Sequence, residues 1–257
     1  MLSPMRVTLL GTGTSSGVPS LTCDCAVCTS SDPRDNRLRC SVLLEWEDDT
    51  KVLIDASLDC RQQLLRVGLQ RLDGVLLTHP HADHVLGLDD LRIFNFRQRQ
   101  SIPVHGNAIT LEQVKRTFWY VFETTQYEEG KPKLELTQVD SDFEVAGKTV
   151  TPIPIIHGSL DILGYRLGKF AYVTDALIVP DESRDLLRGL DVLVINALRD
   201  KPHPTHQTFP QALSVIEDLQ PKQAYITHVG HWLSAAEIDE RSPDHVASAW
   251  DGQVIEI

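Results

Sequence analysis

The segment Thr78-His79-Pro80-His81-Ala82-Asp83-His84 brings four potential metal ligands within six residues. An apolar, strand-like run at residues 74–77 precedes it. Clustered imidazoles and a carboxylate need solvent, a partner or a metal ion, so a solvated loop is the alternative to a metal site. Alternate side chains of a strand-to-helix turn can point two ways, so His79 and His81 could bind one metal while Asp83 and His84 bind another. This arrangement suits a two-metal hydrolase.

Hydrophobic periodicity outward from this stretch predicts alternating strands and helices. Strands are predicted at residues 6–10, 41–46, 52–54, 74–78, 149–156, 162–167, 170–174, 191–196 and 223–227. Helices are predicted at residues 58–69, 84–99, 209–219 and 234–239. Two β-rich blocks, each accompanied by helices, fit an α/β sandwich of two mixed β-sheets flanked by helices. No repeat or linker interrupts them, so we expect a single domain over residues 1–257.

The central motif resembles the signature His-x-His-x-Asp-His of the metallo-β-lactamase superfamily, without a departure. In that superfamily the remaining ligands come singly from later strand ends. His157, Asp175 and His228 each follow an apolar strand-like run and match that order. The resemblance covers nearly the whole chain and implies the metallo-β-lactamase fold, a four-layer αββα sandwich.

The same resemblance implies two divalent metal ions with a defined set of ligands. It assigns His79, His81 and His157 to the first metal, Asp83, His84 and His228 to the second, and Asp175 as a bridge between them. Such a pair lowers the pKa of a bridging water, and the resulting hydroxide is the nucleophile. Nitrogen and oxygen ligands without a thiolate permit zinc, manganese or iron; we expect Zn or Mn.

A second cluster, Cys23-x-Cys25-x-x-Cys28, lies in a Cys-rich loop at about residues 20–40. A closed structural zinc site needs four ligands, and His231 is the candidate for the fourth. Three reduced surface thiols are the alternative. Together with a Gly-rich strand end at residues 10–19, this cluster resembles the phosphoribosyl cyclic phosphodiesterase family of phosphonate (carbon–phosphorus lyase) breakdown. The pyrroloquinoline quinone biosynthesis protein B shares the Cys cluster but departs from the usual ligand set.

The candidate catalytic residues are His206 and Asp83, the latter also a metal ligand. A departing alkoxide needs a proton, and histidine is the usual donor near neutral pH. His206 precedes a predicted helix, and the resembled phosphodiesterases have a histidine at the matching place. His203 is the competing donor, and a capping or surface histidine is the alternative for both. The stretches 95–100 and 118–133 match no motif of the resembled family.

Composition excludes several classes of protein. The chain has 257 residues, 42% of them hydrophobic and 23% charged, with a formal net charge of −12. A duplex binder clusters Lys and Arg, so extended nucleic acid is not an expected partner. No run of about eighteen apolar residues exists, and no secretory signal opens the chain, so we expect no membrane partner and a cytoplasmic location. A homodimer is the default expectation.

Taken together, the sequence predicts a metal-dependent phosphodiesterase acting on a small cyclic or short phosphodiester, with phosphoribosyl cyclic phosphate as the specific candidate. Another hydrolase of esters, thioesters or lactones on the same fold is an alternative, because one metal pair serves many acyl substrates. A non-catalytic metal-binding accessory protein, like the quinone-biosynthesis relative, is the third. A full ligand set with a proton donor disfavours this last alternative.

Overall fold

The computed structural model describes residues 4–124 and 130–257, and the fourteen strands of these residues form two seven-stranded sheets. The first sheet has the order β14-β1-β2-β3-β4-β5-β6, formed by β1 (Met5–Gly11), β2 (Ser41–Trp46), β3 (Lys51–Ile54), β4 (Gly74–Leu76), β5 (Ile102–Gly106), β6 (Leu134–Gln138) and β14 (Gln253–Glu256). The second has the order β13-β12-β11-β10-β9-β8-β7, formed by β7 (Phe143–Val145), β8 (Lys148–His157), β9 (Leu160–Leu167), β10 (Phe170–Val173), β11 (Val192–Asn196), β12 (Gln223–Thr227) and β13 (Val246–Ser248). Both sheets mix parallel and antiparallel pairs.

Eight α-helices accompany the sheets in the described residues. They are α1 (Cys60–Val67), α2 (Ala82–Val85), α3 (Arg92–Gln98), α4 (Ala108–Thr117), α5 (Trp119–Phe122), α6 (Asp181–Leu186), α7 (Phe209–Leu219) and α8 (Ala235–Arg241). None of the helices in the described ranges is both long and apolar enough to cross a bilayer.

The layers follow from the two-residue period of the strands, whose side chains alternate between faces. In β2, Val42 and Leu44 enter the core shared by the two sheets, whereas Leu43 enters the core under α1, α3 and α4. In β11, Val194 faces the shared core and Leu193 packs with α7 and α8. The predicted four-layer αββα sandwich is therefore confirmed.

The predicted bounds agree best with the structure in strands and helices that have one continuously apolar face. The strands Ser41–Trp46 and Gln223–Thr227 and the helix Phe209–Leu219 have the predicted bounds. Residues 84–99, predicted to be helical, are divided among α2, a 3-10 helix at Leu86–Leu91 and α3, which follow one another. The strand predicted at 74–78 ends at Leu76. Of the unmatched stretch 118–133, residues 125–129 lie outside the described residues.

Close packing at Gly87 explains why residues 86–91 form a 3-10 helix. Its backbone NH donates to the carbonyl of Ala56 at 2.9 Å, and a Cβ at this position would lie 2.2 Å from the carbonyl oxygen of Ser57. The chain therefore approaches the end of β3 closely. This approach fixes the segment that follows His84 against the strand that leads to Asp55.

Candidate functional site

The site lies where strands of both sheets end. The central motif follows β4, His157 is the last residue of β8, and Asp175 lies two residues beyond β10. His228 directly follows β12. Because β10, β11 and β12 run parallel, their carboxyl ends meet at one edge, which the motif approaches from the other sheet.

Three residues at these strand ends have a left-handed backbone. The φ angles are 60° for Asp55, 58° for Asp175 and 53° for His228. Non-glycine residues adopt this conformation rarely, at a cost of about 1–3 kcal/mol each, and such strain concentrates at functional sites. The packing of both sheets therefore holds three polar side chains in orientations that an isolated loop would not favour.

The first predicted metal triad is brought together by the fold. His79 Nε2 lies 3.0 Å from His81 Nδ1, and the His157 ring centroid is 5.2 Å from that of His79 and 5.1 Å from that of His81. One potential ligand atom from each residue lies within 4.8 Å of the other two. His79 and His157 are buried while His81 is exposed, so the triad opens to solvent on the His81 side.

The second predicted triad is also assembled. His84 Nε2 lies 3.2 Å from Asp83 Oδ2, and His228 Nε2 lies 3.9 Å from the same oxygen. All three side chains are buried, and their potential ligand atoms lie within 4.8 Å of one another. Their role as metal ligands, like that of the first triad, stays a prediction.

Asp175 lies between the two triads. Its Oδ2 is 3.3 Å from His84 Nε2, and its Oδ1 is 3.1 Å from His228 Nε2. It also groups within 4.8 Å with His79 and His84, and separately with His157 and His206. This is the position that a bridging carboxylate needs.

The donor set fits divalent cations on two observations. Nε2 of His84 and both ring nitrogens of His228 are buried without a hydrogen-bond partner among the described residues. Such groups are costly to bury unless something binds them. Imidazole nitrogens and carboxylate oxygens are also ligands that divalent metals accept. The metallo-β-lactamase fold implies divalent metals, and these clusters could bind them.

Opposite charges dominate the electrostatics of the site. Burial raises the pKa of Asp175, but His228, His84 and His79 outweigh it and hold that pKa well below its usual range. Burial lowers the pKa of His84, but Asp55, Asp175 and Asp83 raise it well above its usual value. These charges favour the ionised form of Asp175, which needs positive charge nearby because the pocket is buried.

Asp55 is an important residue that sequence analysis missed. It is fully buried, and its Oδ2 accepts a hydrogen bond from His84 Nδ1 at 2.7 Å and from the Thr78 hydroxyl at 2.8 Å. That hydroxyl lies 3.0 Å from His79 Nδ1 and accepts its hydrogen. Both imidazoles are thereby held with Nε2 free to bind a metal. In the sequence, Asp55 directly follows a predicted strand, which is the same position that His228 has.

His157 is oriented in the same way by a backbone group. Its Nδ1 donates to the carbonyl oxygen of Thr205 at 2.8 Å, which leaves Nε2 facing the first triad. Outer partners of this kind fix the tautomer and the ring orientation of metal-binding histidines.

Replacing Asp55 by asparagine should weaken metal binding by about 10–100-fold, the usual effect of losing an outer hydrogen-bond partner. The Asp55 carboxylate accepts from His84 Nδ1 and the Thr78 hydroxyl on one oxygen and from the Thr78 NH on the other. An amide has only one acceptor oxygen, so asparagine cannot make all three bonds, and the orientation of His84 and His79 is lost. The measurement is a competition titration with a chelator. Asp73→Asn is the matched control, since Asp73 pairs with Arg71 away from the site. Equal affinities for wild type and Asp55→Asn would contradict this role.

His206 lies at the rim of the pocket. Its Nε2 is 3.0 Å from Asp175 Oδ1, and its ring centroid is 5.0 Å from that of His228 and 4.8 Å from that of His157. Burial lowers its pKa to about 4, although Asp175 opposes this shift. The structure thus brings His206 to the site, while its role as proton donor stays a prediction.

The Cys cluster forms a separate group of potential ligands. His231 Nδ1 lies 3.1 Å from Cys23 Sγ and 3.5 Å from the sulfurs of Cys25 and Cys28. A backbone hydrogen bond from Cys28 lowers the pKa of Cys25 to about 6. Four ligand atoms at one point match the composition of a closed zinc site.

Comparison with known proteins identifies the family. A family model for the beta-lactamase superfamily domain matches residues 50–229. A Porphyromonas gingivalis protein named octanoyltransferase is 41% identical over 252 residues, which are 96% of this chain and 51% of that protein. This chain therefore spans about half the length of that relative. Coenzyme PQQ synthesis protein B of Methylobacterium radiotolerans is 28% identical over 227 residues, covering 75% of this chain and 72% of the relative.

Solved structures agree with this result. The crystal structure of a new diphosphatase from the PhnP family superposes with a TM-score of 0.94 at 42% identity, covering 100% of this chain and 98% of the other. Zn(2+)-bound PqqB from Methylobacterium extorquens gives 0.80 at 18% identity, covering 98% and 100%, which shows the fold alone. The chain therefore belongs to the beta-lactamase superfamily, has the metallo-β-lactamase fold and resembles the PhnP-family diphosphatase over its full length.

Proposed function

We propose that the chain is a dinuclear metal-dependent phosphodiesterase that hydrolyses a small cyclic or short phosphodiester, with phosphoribosyl cyclic phosphate as the specific candidate. The observation that carries the proposal is the pair of triads that share Asp175 at the ends of strands from both sheets. The PhnP-family diphosphatase, at 42% identity over the full chain, supports phosphorus chemistry.

In this proposal the ligands form two groups, one for each metal ion. His79, His81 and His157 would hold one divalent metal ion, Asp83, His84 and His228 would hold the other, and Asp175 would contact both. The two ions, Zn or Mn, would supply a nucleophile from water at neutral pH and stabilise negative charge on the phosphoryl oxygens. Asp83 is placed in the catalytic group because its carboxylate faces the shared pocket.

His206 is the proposed proton donor to the departing alkoxide. Its Nε2 points into the pocket at Asp175, and the ring is only slightly exposed. Burial keeps the free ring neutral, since its pKa is lowered to about 4. An anionic phosphoester bound beside it would raise that pKa by favouring the charged imidazole.

Replacing His206 by alanine should slow esters with alkoxide leaving groups by about 10²–10⁴-fold, the range typical of general acid catalysis. Nitrophenyl esters should be slowed far less, because nitrophenolate leaves without protonation. The measurement compares kcat/KM for a methyl and a nitrophenyl phosphodiester. His245→Ala, at a half-buried histidine on the loop before β13, is the control. Equal slowing of both esters would remove His206 as the acid.

The Cys cluster is proposed to hold one structural zinc ion. It joins the N-terminal loop to the segment that follows His228, because its fourth member is His231. Three thiols kept reduced beside a metal are also consistent with a cytoplasmic protein, the location that we propose.

Replacing Cys25 by serine should remove about one zinc per chain and lower the melting temperature, because the free energy of zinc binding contributes to folding. Metal counting on the purified variant, together with thermal unfolding, is the measurement. Cys60→Ala is the matched control, since Cys60 is a buried thiol outside the cluster. Three metals per chain in both variants would refute the structural zinc.

Hydrolysis of a phosphoanhydride is the second candidate function. It is favoured by one observation, the word diphosphatase in the name of the 42% identical structure. The same triads and His206 would serve this reaction, since a phosphoryl group is attacked in both. The substrate then differs only in its leaving group, a phosphate in place of an alkoxide.

A panel of substrates tests these proposals. Protein with counted metals is assayed on a ribose cyclic phosphate, bis(p-nitrophenyl) phosphate, a dinucleoside diphosphate, p-nitrophenyl acetate and a lactone. Fastest turnover of the cyclic phosphate supports the first proposal, and fastest turnover of the diphosphate supports the second. Turnover of the acyl substrates alone would overturn both. No turnover at full metal occupancy would indicate an accessory protein like coenzyme PQQ synthesis protein B.

A further inference from the structure

Thr174 is a buried residue to which the proposed function gives no role, yet it contacts the predicted bridging ligand directly. Its side chain is fully buried, and its hydroxyl donates a hydrogen bond to Asp175 Oδ2 at 2.7 Å. A hydroxyl carries a single hydrogen, so this bond uses the only hydrogen that the side chain can donate. Thr174 directly follows β10, and the strand therefore delivers the hydroxyl to the position beside Asp175.

The carboxylate of Asp175 needs such a bond because its own torsion does not fix its two oxygens. Rotation of an aspartate carboxylate about the Cβ–Cγ bond has broad, two-fold minima. Here the two oxygens have different neighbours: Oδ2 faces Thr174 and lies 3.3 Å from His84 Nε2, whereas Oδ1 lies 3.1 Å from His228 Nε2. Because His84 Nε2 is predicted to bind a metal ion, it has no hydrogen to donate once the ion is bound. The hydroxyl of Thr174 is then the donor that holds Oδ2.

The backbone of the same turn is fixed by residues from other parts of the chain. Asp175 has a left-handed backbone, with φ at 58°. The carbonyl of the next residue, Ala176, accepts hydrogen bonds from Asn196 Nδ2 at 3.0 Å and from the Gln207 NH at 2.7 Å. These bonds set where the side chain of Asp175 starts but not how its carboxylate is rotated. The hydroxyl of Thr174 supplies that remaining constraint.

We propose that Thr174 is a positioning residue that fixes the carboxylate of Asp175 for contact with both metal ions. The inference rests on the proposed function, because it assumes that Asp175 bridges the ions. A threonine suits this role, since its β-branched side chain is stiff about χ1 and holds its own hydroxyl in place. Loss of the hydroxyl should weaken metal binding at the triads by about 10–100-fold, the usual effect of losing an outer hydrogen-bond partner.

Two variants separate this role from a general effect on folding. Thr174→Val replaces the hydroxyl by a methyl group of similar size, and Thr174→Ser keeps the hydroxyl. We expect weaker metal binding in the valine variant and recovery of most of the affinity in the serine variant. Thr110→Val is the matched control, because Thr110 is also fully buried and its hydroxyl has no hydrogen-bond partner among the described residues. Urea unfolding shows that each variant is folded.

The measurement is a titration with Mn²⁺ after chelation, followed by the electron paramagnetic resonance signal of the free ion. Mn²⁺ is the probe because oxygen ligands accept it, whereas thiolates favour zinc, so the Cys cluster does not interfere. Equal affinities for wild type and Thr174→Val would overturn the inference. An equal loss of affinity in the valine and serine variants would overturn it as well, since serine keeps the hydroxyl.

A double variant tests whether Thr174 acts through Asp175. In an Asp175→Ala background, Thr174→Val should cause no further loss of Mn²⁺ affinity, because the group that it positions is gone. A loss of the same size in both backgrounds would show that Thr174 acts independently of Asp175 and would overturn the inference.

The failure of this inference and the failure of the proposed function give different results. If wild type loads both triads but cleaves no phosphodiester, the proposed function fails, while a loss of affinity in Thr174→Val still supports the positioning role. If wild type cleaves the phosphodiester and Thr174→Val matches its Mn²⁺ affinity, only the positioning role fails. If wild type binds no metal at the triads, both fail.

Discussion

Asp175→Ala should lose catalytic metal and reduce phosphodiester hydrolysis by more than about 100-fold, beyond the 10–100-fold range typical of an outer partner. Asp175 lies beside both triads: it groups within 4.8 Å with His79 of the first and His84 of the second, and its oxygens lie 3.3 Å from His84 Nε2 and 3.1 Å from His228 Nε2. Its removal leaves the two metals without a shared anion. Metal counting and kcat/KM on the same preparation are the measurements.

Hydrogen bonds to the backbone of the next residue, Ala176, fix the turn that carries Asp175. The Asp175→Ala variant keeps these bonds and should therefore fold. The side chain of Asn196 bonds both backbone groups of Ala176, accepting from its NH at 2.7 Å and donating to its carbonyl at 3.0 Å. Asp181→Ala, at a fully exposed carboxylate, is the control. Unchanged metal content and activity in Asp175→Ala would refute the assignment of Asp175 as a bridging ligand.

Arg37→Met should destabilise the fold by about 3–5 kcal/mol, the usual cost of removing one partner of a buried ion pair. The Arg37 side chain is fully buried and pairs with Asp35 at 2.7 Å, and it donates to the carbonyls of Gly230 and Leu233 at 3.3 and 3.0 Å. Its loss leaves the buried Asp35 carboxylate without its counter-charge and removes a hydrogen bond from each of the two carbonyls. Urea unfolding measures the change in free energy.

Arg34→Met is the matched control for this prediction. Arg34 forms ion pairs with Asp32 and Asp239, but about a third of its side chain is exposed, and exposed pairs contribute about 0–1 kcal/mol. A double variant, Arg37→Met with Asp35→Leu, should recover part of the loss because no buried charge remains unpaired. If Arg37→Met and Arg34→Met cost the same, the buried pair does not stabilise the loop.

This ion pair also connects the Cys-rich loop to the segment that follows β12 and carries His228. Gly230 and Leu233 flank His231, and His228 lies two residues before Gly230. Arg37 therefore fixes the segment that presents one predicted catalytic ligand and one predicted zinc ligand. Arg37→Met should consequently weaken metal binding at both places as well as lower the stability of the fold.

Local apolar patterns predict nine of the strands, whereas the division of the ligands into two triads comes from the resemblance to the metallo-β-lactamase superfamily. The alternation of apolar residues in Ser41–Trp46 predicts a strand, and the polar residues placed directly after strands predict the site. His157, Asp175 and His228 each follow an apolar run, and the resemblance to the superfamily is what marks them as ligands. These signals need no knowledge of which strands are neighbours.

Features that depend on packing between distant segments could not be predicted in this way. Asp55 lies 23 residues from Thr78 and 29 from His84, and only the parallel pairing of β3 with β4 brings them together. The break at Gly87 depends on a close approach to Ser57, which periodicity does not report. The contact of His203 with His206, whose Nδ1 atoms lie 3.0 Å apart, depends on the turn between them, which carries no sequence pattern of its own.

The most direct test of the two-metal phosphodiesterase is the hydrolysis of bis(p-nitrophenyl) phosphate by protein whose metals have been counted, before chelation, after chelation and after restoring zinc or manganese. We expect about three metals per chain, two at the catalytic triads and one at the Cys cluster, with turnover lost on chelation and regained on restoration. Full metal loading without cleavage of the phosphodiester, or turnover that chelation leaves unchanged, would contradict the account.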